Sequence, residues 1–378
     1  MKISIIANAV TSSGGGVSVV VLEHARCISG EVDCVIFSVK ETNFNEVVDV
    51  SKVNLSFSPG FLRGRFSYFP KMLKQLKAWH PEIIHQHGIW NYLSVVGTSA
   101  KRLTGAKLVV SPHGMLEKWI VENKAWQKRV LRWLFQNENI QQADVLQVLT
   151  RKEILDVKRF GYQGDVALIP NGVELPVATS TAVIEGQVFK LLYIGRIDKK
   201  KNVITLVEAV SQVAETGAKL VLDIYGWGKG EYYESFLDVV ESCANVNFHG
   251  EVTGRKKEEA FVSSHLFILP SFSEGLPMAI LESWSYGLPT LMTKSCNLDE
   301  GFEGKCSIEI GTTKDSIANG ILYYLSLPYD EKIEMHLKAR ELISSEFEKG
   351  IVKERLLKLY SWLNGDSERP NFVSRLEG

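Results

Sequence analysis

Two glutamates, Glu274 and Glu282, stand eight residues apart in the segment PSFSEGLPMAILESWSYGLPTL. The residues around Glu282 are apolar on nearly every side, which predicts a buried helix that carries Glu282 as its single charge. A buried carboxylate is costly unless hydrogen-bond donors satisfy it, and a ribose diol would supply them. Glu274 precedes this helix, where backbone N–H groups and the helix dipole favour a phosphate. Taken alone, the pair is explained equally well without a ligand, by a salt bridge from Glu282 to an arginine of a neighbouring helix together with an ordinary loop carboxylate at Glu274.

The segment YIGRIDKKKN, residues 193–202, carries two cations five residues apart, Arg196 and Lys201. It begins in a predicted strand and leads into a predicted helix. Arginine offers a planar fork and lysine a point charge, and together they can hold a diphosphate. The alternative is a solvated basic turn, which is our interpretation of Lys199 and Lys200.

Three consecutive glycines, Gly14, Gly15 and Gly16, follow the first predicted strand. Consecutive glycines let a ligand approach the backbone closely and supply N–H donors at the start of a helix. Glycine-rich turns are common, and this one lacks the spacing of the dinucleotide-binding fingerprint. The run therefore indicates a ligand-facing turn without specifying the ligand.

Two histidine-containing segments come at the ends of predicted strands. His113, in SPHGML, follows a strand and directly precedes a glycine. A lone histidine is more often structural than catalytic, but the carboxyl end of a strand is where a cleft residue is expected. His87, in IHQHGIW, directly follows another predicted strand. His85 lies two positions earlier, and we do not expect both of these side chains to face the same site.

Short β-branched runs alternate with amphipathic stretches along the whole chain, which predicts an α/β protein with parallel sheets covered by helices on both faces. We predict two doubly wound, Rossmann-like domains at residues 1–173 and 189–350, with a linker at 174–188 between them. A C-terminal helix and tail at 351–378 is expected to cross back to the N-terminal domain. Ligands of such sheets bind beyond the carboxyl ends of the strands, so we expect the site in a central cleft between the domains.

The elements behind this prediction are as follows. The predicted strands are Ile3–Ala7, Asp33–Ser38, Ile83–Gln86, Lys107–Ser111, Val145–Leu149, Val166–Ile169, Lys190–Ile194, Leu220–Tyr225, Val246–His249, Leu266–Leu269 and Thr290–Met292. The predicted helices include Val17–Ile28, Met72–Trp79, Leu93–Leu103, Lys124–Asn137, Val203–Glu215, Tyr232–Cys243, Lys256–Ser263, Met278–Tyr286, Asp330–Ser344 and Ile351–Leu363.

Composition argues against several classes of protein. The chain has 378 residues, 45% hydrophobic and 23% charged, as expected of a soluble globular protein with two domains. No run of about eighteen or more apolar residues is present, and the N-terminal MKISIIANAV is interpreted as a buried strand, not as a signal peptide. Five cysteines without C-x-x-C spacing favour neither disulfides nor a zinc site. Residues 1–170 carry a net charge of +7 and the remainder −8, a pattern too diffuse for nucleic-acid binding.

The glutamate segment resembles the E-x7-E signature of the GT4 family of retaining glycosyltransferases, which have the GT-B fold of two Rossmann-like domains. The basic segment resembles the G-R-x-x-x-x-K-[GN] element of the same family. SPHGML resembles a stretch of bacterial members of the family. The resemblance extends from about Ile3 to about Leu363.

This resemblance implies a role for each motif. Glu274 would contact the hydroxyls of the donor sugar, and Glu282 would hold the ribose. Arg196 and Lys201 would neutralise the departing nucleoside diphosphate. His113 would contact the donor sugar near its anomeric centre. The other residues implied are His87 on the acceptor side and, for the donor, Gly15, Gly16, Gly226, His249, Gly275, Leu276 and Pro277.

The resemblance further implies retaining transfer of a sugar from a UDP- or GDP-sugar to a saccharide acceptor. The implied acceptors are polyprenyl-diphosphate-linked saccharides of bacterial polysaccharide, lipopolysaccharide or O-antigen biosynthesis. Metal-dependent glycosyltransferases hold a cation through a D-x-D spacing. This spacing is missing from the sequence, so we expect a donor site that needs neither a metal nor another cofactor.

The location of the protein is predicted from two basic aromatic segments, residues 59–79 and 118–135. Such segments can lie on anionic lipid, or they can be helices whose solvated basic face needs no lipid. We expect a cytoplasmic protein that is peripheral on the inner face of the membrane.

Two other interpretations remain open. One is another enzyme of the GT-B fold, a sugar-nucleotide 2-epimerase or a phosphorylase. The other is a non-catalytic two-domain sugar-binding protein, which would require an export signal and would leave a buried Glu282 without its partner.

Overall fold

Valine- and isoleucine-rich runs form the strands of two sheets in the structure, a computed structural model that describes residues 1–10, 15–40, 53–59, 68–117, 125–180 and 188–377. Such residues suit strands that are covered on both faces, and all five residues of Ile83–His87, for example, are buried. The described chain forms two units. Unit 1 consists of Met1–Asn171 with Lys349–Gly378, and unit 2 consists of Gly172–Glu348.

The elements are numbered in chain order. The strands are β1 Lys2–Ala7, β2 Asp33–Lys40, β3 Asn54–Pro59, β4 Ile83–His87, β5 Lys107–Ser111, β6 Val145–Val148, β7 Asp165–Leu168, β8 Phe189–Ile194, β9 Leu220–Tyr225, β10 Val246–Phe248, β11 Leu266–Leu269, β12 Thr290–Met292, β13 Ser307–Glu309 and β14 Val373–Arg375. The α-helices are α1 Gly15–Ile28, α2 Pro70–Trp79, α3 Tyr92–Thr104, α4 Ala125–Leu131, α5 Asn137–Gln142, α6 Arg151–Phe160, α7 Val203–Glu215, α8 Glu231–Glu241, α9 Gly254–Val262, α10 Met278–Ser285, α11 Asp299–Glu303, α12 Lys314–Ser326, α13 Tyr329–Leu342 and α14 Lys349–Asn364.

The sheet of unit 1 has eight described strands in the order β14-β7-β6-β5-β4-β1-β2-β3. Strands β1 to β7 pair in parallel, and β14 pairs antiparallel with β7 at one edge. The chain order reverses between β1 and β4, where His85 lies opposite Ile5 and His87 lies opposite Ala7. Doubly wound sheets bind ligands at this switch point, beyond the carboxyl ends of the strands.

The sheet of unit 2 has six described strands in the order β10-β9-β8-β11-β12-β13. All of these pairs are parallel. The chain order reverses between β8 and β11, so the loops that follow these two strands flank the switch point of unit 2. Arg196, Lys201 and Glu274 lie in these loops, and Glu282 lies in α10, the helix that follows the second loop.

Helices cover both faces of the unit 1 sheet. Successive side chains of a strand point to opposite faces, and in β4 Ile84 packs into one core while Ile83 packs into the other. The core around Ile83 also contains Leu22 of α1 and Tyr360 of α14. The C-terminal helix α14 therefore belongs to unit 1, and together with α1 it covers the face to which the histidines of β4 point.

The predicted architecture of two doubly wound α/β domains with a helical tail is confirmed, and every predicted strand overlaps an observed one. Strands β3, β13 and β14 lie outside the predicted set, because short or partly polar runs give little periodic signal and form only beside a partner strand. Helices α6, α11 and α12 also lie outside it.

Parts of three predicted segments fall outside the described residues: 181–187 of the linker, and 60–67 and 118–124 of the two basic aromatic segments. Among the described residues, no helix combines the length and the apolar character needed to cross a membrane.

Candidate functional site

Two loops of unit 2 meet at the switch point of its sheet. One follows β8 and contains the basic segment, and the other follows β11 and runs through residues 275–277 into α10. The backbone N–H of Phe272 donates to the carbonyl of Lys200 at 2.9 Å. Lys201 Nζ donates to Glu274 Oε1 at 2.6 Å. The structure thus brings the two sequence motifs into direct contact through their charged members.

Glu274 is the more buried of the two predicted glutamates. Its side chain is 9% exposed, and Oε1 also accepts a hydrogen bond from Ser271 Oγ at 2.6 Å. The backbone N–H of Glu274 donates to the carbonyl of Ser295 at 2.9 Å, and its carbonyl accepts from Asn297 Nδ2. A carboxylate can be buried in this way because it is both paired and hydrogen-bonded.

The prediction that Glu282 is a buried charge is wrong. Its side chain is 32% exposed and accepts a hydrogen bond from Lys257 Nζ of α9 at 2.6 Å. The buried face of α10 includes Ile280, Leu281 and Trp284, whereas Glu282 lies on a side where apolar residues are only half-buried. Composition does not distinguish these two sides of the helix. The salt bridge to a neighbouring helix is therefore the observed arrangement, and a bond from Glu282 to a ribose stays a prediction.

The two predicted cations differ in their surroundings. The side chain of Arg196 is 57% exposed, with Nη2 at 3.3 Å from Asp198 Oδ2, whereas that of Lys201 is 15% exposed. Asp198 Oδ1 accepts a hydrogen bond from the Lys201 N–H at 3.2 Å and caps the short 3₁₀ turn Lys199–Lys201. Asp198 therefore positions both cations. It is absent from the predicted site, although an aspartate before a turn is a recognisable capping signal.

A close crossing of two backbones fixes the ends of β8 and β9. A Cβ atom on Gly226 would stand 1.9 Å from the carbonyl oxygen of Gly195, so this position requires glycine. Nearby, His249 Nε2 is hydrogen-bonded to Asp223 Oδ1 at 2.7 Å. The His249 ring stacks on Tyr225 with 4.5 Å between the ring centroids. The predicted residues Gly226 and His249 thus lie just beyond the ends of neighbouring strands β9 and β10.

Two asparagines that the predicted site lacks hold the loops of unit 2. Asn202 has a φ of 60° and Asn297 a φ of 59°, a left-handed conformation that asparagine tolerates better than most residues. Asn202 Nδ2 donates to the carbonyl of Thr312 at 2.8 Å. Asn297 Nδ2 donates to the carbonyls of Glu274 and Gly275. Nothing in the spacing of these residues reveals such contacts, because they depend on how the loops fold against each other.

In unit 1 the structure brings together His87, the last residue of β4, and His113, which lies just beyond the end of β5. His87 Nδ1 and His113 Nε2 form a hydrogen bond of 2.9 Å. Burial, with a smaller effect of His24, lowers the pKa of His113 to about 3, so the ring is neutral near pH 7. His113 has a φ of 53°, and Glu153 Oε1 of α6 accepts a hydrogen bond from the following N–H, that of Gly114, at 2.6 Å. Glu153 therefore holds this turn, and the predicted site does not include it.

The expectation that His85 and His87 face different sites is wrong. Their ring centroids are 4.3 Å apart, and both rings lie beside His24 of α1. Residues two positions apart on a strand point to the same face, so the spacing itself predicts the observed arrangement. His85 is hydrogen-bonded to Tyr360 Oη at 2.6 Å and to Ser111 Oγ at 2.7 Å. His87 is 1% exposed, so it would affect a ligand indirectly, through its hydrogen bond to His113.

Gly15 and Gly16 form the beginning of α1, after β1. Ser18 Oγ, in the same turn, is buried and donates to the carbonyl of Ala9 at 2.9 Å. A Cβ atom on Gly16 would meet no described atom within 4 Å. Residues 11–14, which include Gly14, lie outside the described residues.

Both halves of the chain match known sequence families. The family described as "Glycosyltransferase Family 4" matches residues 14–176. The family described as "Glycosyl transferases group 1" matches residues 181–341. The two matches follow each other along the chain and correspond to the two Rossmann-like sheets.

Three relatives illustrate the similarity. An Escherichia coli O-antigen biosynthesis glycosyltransferase, WbnH, is 31% identical over 132 residues, which cover 34% of this chain and 35% of that protein. An E. coli UDP-Gal:α-D-GlcNAc-diphosphoundecaprenol α-1,3-galactosyltransferase is 25% identical over 259 residues, covering 62% and 64%. A Campylobacter jejuni GalNAc-α-(1→4)-GalNAc-α-(1→3)-diNAcBac-PP-undecaprenol α-1,4-N-acetyl-D-galactosaminyltransferase is 23% identical over 384 residues, covering 95% and 98%. The chain thus spans less than two thirds of the first two proteins and nearly all of the third.

The fold is also that of a solved structure. Sucrose-phosphate synthase from Thermosynechococcus elongatus superposes with a TM-score of 0.78 at 18% identity, over 97% of this chain and 100% of that one. The sequence families and the paired doubly wound sheets agree. The chain belongs to the GT4-like glycosyltransferases of the GT-B fold.

Proposed function

We propose that this chain transfers a sugar, with retention of its anomeric configuration, from a UDP- or GDP-sugar to a saccharide acceptor. The observation that carries the proposal is the part-buried ion pair of Lys201 and Glu274 at the switch point of unit 2. A cation and a carboxylate fixed side by side suit a substrate in which an anionic diphosphate adjoins a hydroxyl-rich sugar.

In this proposal Lys201 neutralises the departing diphosphate. Its ammonium group has three donors, and the bond to Glu274 uses one of them. The more exposed Arg196 adds its planar fork when a diphosphate competes with Asp198 for the guanidinium. Cations placed where negative charge develops stabilise the transition state. These two residues would take the role of a divalent metal at the diphosphate, so leaving Mg²⁺ and Mn²⁺ out of the assay should not lower the rate.

In this proposal Glu274 and Glu282 accept hydrogen bonds from the hydroxyl groups of the donor. Among the described residues, the two side-chain hydrogen bonds to Glu274 both go to Oε1, so Oε2 is the oxygen that would accept hydrogen bonds from the sugar. Glu282 is half-exposed, and its carboxylate can accept from the ribose while Lys257 keeps it oriented. Gly226 and His249 would lie near the base.

In unit 1, His113 would contact the donor sugar near the anomeric centre. A neutral imidazole has one donor and one acceptor nitrogen. The hydrogen bond to His87 occupies Nε2 of His113, which leaves Nδ1 for a substrate. His87 is then a positioning residue, and its substitution should lower the rate of transfer without removing a direct contact.

We assign the acceptor to the lipid-linked saccharides. Two relatives have diphosphoundecaprenol-linked and PP-undecaprenol-linked saccharides in their names. Unit 1 also presents an exposed apolar surface within the basic aromatic segment 118–135. Trp133 is 81% exposed, Leu134 55% and Val130 47%, and Arg129 beside them is exposed as well. Tryptophan and apolar residues next to a cation suit the interface of an anionic bilayer.

The membrane part of the proposal is tested by sedimentation with vesicles of phosphatidylcholine and phosphatidylglycerol. Replacing Trp133 and Leu134 by serine should reduce the bound fraction. Leu337→Ser is the matched control, because Leu337 is 65% exposed but lies on unit 2. Equal binding of both variants and the parent chain would contradict the proposed membrane-binding surface. It would not bear on the proposed transfer reaction.

The donor is tested with a thermal-shift panel of nucleotides and nucleotide sugars. A ligand that binds only the native state stabilises it by about 2.7 kcal/mol at a hundred times its Kd, so the correct nucleotide should stand out. Lys201→Met should abolish the shift, and Lys199→Met, an exposed lysine of the same turn, should keep it. No shift with any nucleotide would contradict the proposal. Donor consumption without an added acceptor would indicate an epimerase instead.

A further inference from the structure

Three of the chain's eight histidines meet inside unit 1. His24 projects from α1, and His85 and His87 project from β4. Their exposed fractions are 3%, 0% and 1%. One ring nitrogen can be taken from each so that the three atoms lie within 4.8 Å of one another. None of these residues belongs to the donor motifs of unit 2.

The hydrogen bonding of this cluster is incomplete. Within the described part of the chain, neither ring nitrogen of His24 has a hydrogen-bond partner, and neither does Nε2 of His87. Leaving buried polar atoms unpaired is unfavourable, and native structures seldom do so without a ligand or an ion. His87 keeps its other nitrogen, Nδ1, in the hydrogen bond to His113.

The partners of His85 determine which of its nitrogens carries a lone pair. Ser111 Oγ donates its single hydrogen to Gln147 Oε1 at 2.8 Å. It must therefore accept from Nε2–H of His85 at 2.7 Å. Nδ1 of His85 is then unprotonated, and it accepts from Tyr360 Oη at 2.6 Å. His85 thus has one lone pair directed at a hydroxyl group that another ligand could displace.

We propose that His24, His85 and His87 form a binding site for a late first-row divalent cation of the Zn²⁺ type. Three imidazoles with a water in the fourth position are an established zinc environment. A tetrahedral ion at 2.0–2.1 Å from each nitrogen needs about 3.3 Å between the nitrogens, which rotation of the rings would supply. Imidazole also selects this group of ions over Mg²⁺ and Ca²⁺, which prefer oxygen ligands.

The surroundings suit the neutral ligand form of the rings. Burial lowers the pKa of His24 to about 4 and that of His85 and His87 well below 6.5. An ion on Nε2 of His87 would place the proton of that ring on Nδ1, which then donates to His113 Nε2. The ion would thereby fix the ring of His113, in the manner of a metal and its outer-shell partner.

The test is a titration of the full chain, stripped with EDTA and desalted, with Co²⁺ as a visible-absorbing probe. We expect one Co²⁺ per chain, displaced by one equivalent of Zn²⁺, because zinc binds such sites more tightly than cobalt. His24→Leu should weaken Co²⁺ binding by at least about 100-fold, because loss of an outer-shell partner alone costs about 10–100-fold and His24 would be a direct ligand. His336→Leu is the matched control, since His336 is a buried histidine of unit 2, and it should bind Co²⁺ like the parent chain.

A second variant tests the role of the displaced hydroxyl without removing a ligand. Tyr360→Phe leaves Nδ1 of His85 free and should tighten Co²⁺ binding about fivefold, the value of one net hydrogen bond. Absence of a cobalt band, or equal binding by His24→Leu and the parent chain, would overturn the proposal and indicate a buried water between the rings. If His24→Leu does not fold, an unchanged or weaker affinity in Tyr360→Phe overturns it. None of these outcomes bears on donor binding in unit 2.

Discussion

Replacement of Lys201 by methionine separates the structural from the catalytic role of the Lys201–Glu274 pair. Methionine keeps the apolar stem of the lysine and removes only the charge. Breaking a buried ion pair by removing one partner costs about 3–5 kcal/mol, because the other charge stays buried and unpaired. Here the carboxylate keeps the hydrogen bond from Ser271 and both side chains retain some exposure, 15% and 9%. We therefore expect a loss of about 2–3 kcal/mol in the free energy of unfolding of unit 2.

The partner substitution completes a double-mutant cycle. Glu274→Gln retains an acceptor for Lys201 and Ser271 but removes the charge, and it should cost about 1 kcal/mol. In the double variant no charge is left without its partner, so its loss should be smaller than the sum of the single losses by about 1–2 kcal/mol. Urea unfolding followed by tryptophan fluorescence measures each value, with the transitions of the two units fitted separately.

The control is Lys199→Met, because Lys199 lies in the same 3₁₀ turn but is exposed. Its stability should stay within about 0.5 kcal/mol of the parent chain. Transfer activity should be lost in Lys201→Met, Glu274→Gln and the double variant, even where stability recovers. Equal stability of Lys201→Met and Lys199→Met, or additive losses in the cycle, would refute energetic coupling within this part-buried pair.

Further substitutions test other parts of the site. Burial raises the pKa of Glu153 from 4.5 to about 7. As pH rises from about 4.5 to 7, Glu153 therefore ionises in the unfolded chain but stays protonated in the folded one, which favours unfolding. Stability should fall by up to about 3 kcal/mol over that range, and Glu153→Gln should flatten the pH profile measured by urea unfolding. Gly226→Ala should destabilise unit 2 by about 1–3 kcal/mol, since its Cβ would meet a carbonyl oxygen at 1.9 Å. Gly350→Ala is the control, because a Cβ atom at this position would meet no described atom within 4 Å; it should be neutral or stabilising when both variants are compared by thermal unfolding. Lys257→Met should change stability by less than about 1 kcal/mol, because its salt bridge to Glu282 is partly exposed, yet it should raise the KM for the donor if Glu282 binds the ribose.

The elements and the motif positions follow from local sequence. β-branched runs become strands, and a glycine or a proline between a strand and a helix marks a loop at the carboxyl end. This is sufficient to place Lys201 and Glu274 in loops that follow strands. That both loops flank one switch point depends on the strand order, which local sequence does not determine. The pairing β14–β7 is not predictable in this way, because Val373–Arg375 is short and becomes a strand only against its partner.

Burial of individual side chains depends on packing between elements. Glu282 is predicted to be buried but is 32% exposed, because α10 turns Ile280, Leu281 and Trp284 inwards and composition does not distinguish the two sides of this helix. The buried carboxylate is that of Glu274, in the loop before α10. Asp198 and Asn297 act through loop contacts that no periodicity encodes. Nothing in the sequence distinguishes His24 from other residues of its helix. Its place beside His85 and His87 results from the packing of α1 on β4.

Glycosyl transfer is tested most directly by incubating the purified chain with UDP- and GDP-sugars and undecaprenyl-diphosphate-linked saccharides. The nucleoside diphosphate and the extended saccharide are then quantified, and the new linkage is assigned by NMR. We expect one donor to yield both products in equal amounts, with the anomeric configuration of the donor retained and with no product from Lys201→Met. Release of no nucleoside diphosphate from any donor, an inverted linkage, or full activity of Lys201→Met would contradict the proposed reaction.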